Sequence, residues 1–69
     1  MGAGTIIRET FLTQYNNGDG VPVAFVHWNG ENWRAMEVRP GQVARLIVES
    51  KKRKHADDAA ERFVDGLRG

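Results

Sequence analysis

Sixty-nine residues hold one folding unit and exclude large cofactor folds, lids and second lobes, because a separate hydrophobic core needs roughly 50 residues or more. Ten Lys plus Arg against nine Asp plus Glu give a formal net charge of +1, so bulk charge alone names neither a nucleic-acid nor a membrane partner. The composition, 41% hydrophobic and 28% charged with no cysteine, is that of a folded domain without disulfides or thiolate metal sites.

At the N-terminus, Met1-Gly2-Ala3-Gly4 has neither the basic stretch nor the apolar region of a secretion signal, and Ile6 stands where a myristoylation motif wants Ser or Thr. A cytoplasmic protein with a flexible segment at residues 1–4 and no membrane attachment is expected. From Thr5 to Tyr15, seven of eleven positions are Thr, Ile, Phe or Tyr, with Ile7, Phe11 and Tyr15 recurring every four residues. Strand and helix both fit that spacing, and β-branched enrichment favours a strand with those three on one side. Asn16-Asn17-Gly18-Asp19-Gly20 is a loop, since Asn and Gly tolerate the backbone of tight reversals.

Val21 to Trp28 and Trp33 to Val38 read as strands joined through Asn29-Gly30-Glu31-Asn32, and Asn-Gly between apolar runs is a strong hairpin signal. Arg39-Pro40-Gly41-Gln42 is a turn, Pro fixing φ at its first central position and Gly free to take positive φ at its second. A further strand, Val43 to Ser50, follows; the alternative is a helix from Pro40 to about Lys51, because Pro also suits the first position of a helix. Lys51 to His55 forms a basic connector. Ala56, Ala59, Ala60, Phe63, Val64 and Leu67 then keep the three-and-four spacing of an amphipathic helix, with Asp58 and Glu61 placed for a capping box. Together these elements predict an α+β domain: a small antiparallel sheet of three to four strands in meander order, with one C-terminal helix packed on one face.

Register assigns the faces. Trp28 pairs with Glu31 or with Trp33, and both pairings have the same parity; Val38 opposite Val43 extends it. Ala24, Val26, Trp28, Trp33, Ala35, Ala44, Leu46 and Val48 then form the core face, against the helix stripe of Phe63, Val64 and Leu67. The opposite face carries Val21, Val23, Phe25, His27, Arg34, Met36, Val38, Val43, Arg45, Ile47 and Glu49. It is too apolar for water alone and too charged for an interior, so a contact is expected there, with Phe25, His27, Arg34, Met36 and Arg45 as its protein interface.

Chemistry-bearing patterns are few. The two histidines lie 28 positions apart, and no nucleophile elbow or Gly-rich phosphate loop occurs. His55, Asp57 and Asp58 are metal-ligand types that do not all project to one side of a helix, and Glu9, Glu31 and Glu37 have no acid–base partner in sequence. An enzyme, a cofactor, a metal and a small-molecule substrate are therefore not expected. Trp28 and Trp33 read as a hairpin clamp.

Lys51-Lys52-Arg53-Lys54 is the most distinctive run. It is either a solvated connector or a phosphate-binding element, since clustered cations release condensed counterions on meeting a nucleic-acid backbone. In outline, Ser50-Lys51-Lys52 at a helix start, Ala59-Ala60 and Leu67 resemble the double-stranded RNA-binding domain over about residues 22 to 67. That resemblance implies phosphate contacts from the lysines and packing of the Ala-Ala and Leu positions on the sheet. The chain departs from the family in lacking its Gly-Pro-x-His loop and the glycines before the Ser. Trp33-Arg34-Ala35 in the middle strand is similar to the small arm-binding domains of phage integrases, with a longer spacing from third strand to helix. The expected function is that of a non-enzymatic interaction, adaptor or regulatory protein. It binds a protein partner, or itself as a dimer, through the mixed face. The alternative is a nucleic-acid-binding module using Lys51, Lys52, Arg53 and Lys54, assisted by Arg34 and Arg45.

Overall fold

The structure is a computed structural model that describes residues 6–8 and 12–68. The N-terminal segment 1–4 and Phe11 lie outside the described residues. In chain order the elements are β1 (Ile6–Arg8), β2 (Leu12–Asn16), β3 (Pro22–Trp28), β4 (Trp33–Glu37), β5 (Arg45–Ser50) and α1 (Arg53–Arg68). All neighbouring strands are antiparallel, in the order β1-β2-β3-β4-β5, and α1 packs across β2 to β5. The fold is thus the α+β meander with one C-terminal helix, and residues 45–50 are strand, not helix.

The first predicted strand is divided. Ile6 pairs with Tyr15 and Ile7 with Gln14, so the segment folds back on itself and adds a fifth strand. Ile7 and Tyr15 therefore lie on two different strands, not on one continuous strand.

Both later turns follow from their side chains. In the hairpin tip Asn29 Oδ1 accepts from the backbone N–H of Glu31 and Asn32 at 2.8 and 2.7 Å, and Gly30 takes φ +104°. That four-residue loop sets Trp28 opposite Trp33. At the next turn Gln42 N–H donates to the Arg39 carbonyl at 2.9 Å while Gly41 holds φ +71°, the backbone that Pro-Gly prepares.

The core lies between the sheet and α1. Tyr15, Ala24, Val26, Ala35, Ala56, Ala60 and Val64 are buried, with Trp33, Val48, Ala59 and Phe63 packed against them. Alanines at 24, 35, 56 and 60, all fully covered, let helix and sheet approach closely. Leu67, expected in the stripe, is 56% exposed. Val64 is the last residue of the 16-residue helix in the core, so Leu67 lies one turn beyond it.

Two β-bulges change the predicted faces. Tyr15 pairs with Ala24 but Asn16 with Pro22, and Ala35 pairs with Val48 but Met36 with Leu46. Val23 and Ile47, the residues left over, sit half-buried against the core instead of on the opposite face. The second bulge also turns over the start of β5. Leu46 leaves the core face and stands 48% exposed beside Met36. Arg45 moves the other way, opposite Glu37, whose carboxylate its Nε meets at 3.1 Å. Arg45 is accordingly not part of the mixed face. Beyond the bulge the predicted alternation resumes, with Ala35 opposite Val48 and Arg34 opposite Glu49.

Candidate functional site

The face of the sheet turned away from α1 is built from two cross-strand rows. One runs Leu12, His27, Arg34, Glu49; the other runs Gln14, Phe25, Met36, Leu46. Phe25, His27, Arg34 and Met36 thus share the face that the sequence assigned to them. Leu12, Gln14 and Leu46 join them unpredicted. The Phe25 and His27 rings lie 5.5 Å apart at 50°. Arg34 Nε donates to Glu49 Oε1 at 3.1 Å, and Asn32 Nδ2 donates to Glu49 Oε2 at 2.6 Å. Its one arginine is therefore neutralised in place. What remains is a nearly uncharged, half-exposed surface of Leu, Phe, Met and His side chains.

At the end of the sheet where β3 stops and β4 starts, the basic run divides. Lys51, Lys52 and Lys54 are exposed, while Arg53 turns inward. Its Nη2 donates to Oγ1 of the fully buried Thr13 at 2.7 Å, and its guanidinium carbon lies 4.8 Å from the Trp33 ring centroid. Its Nε is 3.6 Å from Asp57 Oδ2, and the Tyr15 hydroxyl donates to Asp57 Oδ1 at 3.2 Å. Arg53 thus pins the helix start to β2 and β4, and it is not one of four equivalent phosphate contacts. Trp33 also packs on Trp28, with centroids 5.4 Å apart at 53°, the expected hairpin clamp. Of this clasp the sequence pointed only to the tryptophans; Thr13, Tyr15 and Asp57 come from elements too far apart in the chain for spacing to reveal.

The helix begins earlier than the capping box implied. Ser50 Oγ accepts from Lys52 N–H at 3.1 Å and lies 3.1 Å from His55 Nδ1, which places Asp58 in the second turn. No acidic residue occupies the first turn. Cations there oppose the helix dipole, at about 0.3 to 1 kcal/mol per charge where screening is weak. A sequence shaped for stability alone would reverse that order of charges.

Among the described residues no group of three or more His, Asp or Glu side chains is gathered as a metal site. No described helix is long and apolar enough to cross a membrane. No family model, curated protein or solved structure matches the chain. Of the features that carried the resemblance to the double-stranded RNA-binding domain, the strand–helix order and the packing of Ala59 and Ala60 are present, whereas Leu67 is 56% exposed.

Proposed function

We propose that the chain is a non-catalytic interaction module that binds a protein through its open sheet face, and that a second copy of the chain fills that role. The observation that supports this is an inversion of size. Alanines occupy four of the fully covered positions, 24, 35, 56 and 60, while Phe25, Met36 and Leu46 stand in one row on the face that no described element covers. A self-sufficient monomer gains more by the reverse arrangement, because covering a large apolar side chain contributes about 1.5 to 3 kcal/mol. The Arg34–Glu49 pair leaves the face without excess charge, so two copies stack without repulsion and a two-fold axis presents the same patch to itself.

Sedimentation equilibrium from low to high micromolar concentration tests the proposal. A reversible monomer–dimer equilibrium is expected, and Phe25→Asp or Met36→Glu abolishes it with the far-UV circular dichroism unchanged. A monomer throughout that range, or a dimer indifferent to both substitutions, overturns it.

A further inference from the structure

We infer that Lys51, Lys52 and Lys54 form a binding site for the phosphate backbone of nucleic acid, independent of the open face and not including Arg53. Three observations carry the inference. All three lysines are exposed, and none makes a hydrogen bond or ion pair through its ammonium group with another described residue. Of the carboxylates on the adjoining elements, Asp57 holds Arg53 and Tyr15 and Glu49 holds Arg34 and Asn32, while Asp58, one turn beyond Lys54 in α1, makes no ion pair with it. The backbone that bears the lysines is fixed on both sides, by the Ser50 cap and by the inward clasp of Arg53 on Thr13 and Trp33. Three uncompensated cations on a fixed turn are pre-arranged for a polyanion, and they sit where the helix field already disfavours them unless an anion arrives.

Nucleic acid fits better than an anionic membrane. Peripheral membrane binding couples basic residues to apolar side chains that enter the lipid, and the exposed large apolar residues lie elsewhere. Val21 and Val43 are at the other end of the strands, Leu67 is in the last turn of α1, and Leu46 is on the open face. A phosphate chain needs only the charges, through counterion release.

The test is fluorescence anisotropy with a labelled 20-base-pair DNA duplex and a 20-nucleotide single strand, titrated with the full chain between 20 and 200 mM KCl. Three released phosphate contacts give a log–log salt slope of roughly −2.7 on duplex, so affinity falls about 40-fold from 50 to 200 mM, and about 20-fold on the single strand. Lys54→Gln lowers the magnitude of the duplex slope by about 0.9, and the triple change Lys51→Gln, Lys52→Gln, Lys54→Gln removes binding. Phe25→Asp leaves the slope per chain unchanged, which separates this site from the open face. The proposal is overturned if neither nucleic acid binds at 20 mM KCl, if Lys54→Gln leaves the slope where it was, or if only phosphatidylserine vesicles are bound.

Discussion

The two faces of the sheet are made from the same strands and differ by one residue of offset, yet they obey opposite rules. On the helix side, small side chains at 24 and 35 meet Ala56 and Ala60 at zero exposure, Val26, Val48, Phe63 and Val64 fill the space around them, and Arg53, Asp57, Tyr15 and Thr13 add a polar clasp. On the other side, large side chains stand in open rows. The alanines let the helix approach the sheet closely on one face, while the large side chains of Phe25 and Met36 stand on the other.

Adjacent substitutions on β3 break that comparison most sharply. Val26→Asp places a carboxylate at a fully covered position, and a cost of about 4 kcal/mol or more is expected. Stability for a chain this short is roughly 3 to 10 kcal/mol, so the variant loses a large part of it, read as a steep fall of the urea midpoint by circular dichroism. Phe25→Asp, one residue away, costs about 1 kcal/mol or less in urea melts run dilute enough to keep the chain monomeric. Equal losses at the two positions would mean that the faces are not distinct.

Asp57→Ala tests whether the clasp belongs to the core. It leaves the nearly covered Tyr15 hydroxyl without that acceptor and Arg53 without its carboxylate, at an expected 1 to 3 kcal/mol in urea. Asp57→Asn keeps an acceptor and loses less. A change within error for Asp57→Ala would reduce the clasp to a surface ion pair.

Much of this architecture was legible because alternation and turn chemistry are local. The Asn29-Gly30 and Pro40-Gly41 turns, the Trp28–Trp33 pairing and the helix stripe all follow from neighbours within a few positions. What alternation alone missed are the bulges, which insert one residue and invert whatever lies on one side of them. Leu46-Ile47-Val48, three apolar residues in a row, is a visible signature of one: strict alternation has no place for the middle one, and it is Ile47 that drops out of register. The inward turn of Arg53 was not legible, because Thr13 is 40 residues away and charge runs carry no sign of which member is buried.

Glycines at two ends of the molecule give effects of opposite sign. Gly41→Ala forces a side chain into φ +71° and costs about 1 kcal/mol. Gly66 lies in α1 with open space where its Cβ would be, so Gly66→Ala stabilises by about 0.5 to 1 kcal/mol through helix propensity. Thermal melts of the two variants move in opposite directions if the turn and the helix end are as described; a common direction would contradict one of them.

The smallest effect separates the function of the open face from its stability. Arg34 and Glu49 are 40% and 32% exposed as side chains, and an ion pair in that setting contributes about 0.2 to 1 kcal/mol at most. A double-mutant cycle of Arg34→Ala and Glu49→Ala in the dilute monomer is expected to give a coupling near the lower end of that range. If the proposed dimer forms, it covers the pair, so removing only Arg34 leaves a buried, uncompensated Glu49 and is expected to weaken association far more than it weakens folding. Removing both restores neutrality and most of the association. A cycle with equal coupling in folding and in association would show that the pair is only a surface contact and that no partner desolvates it.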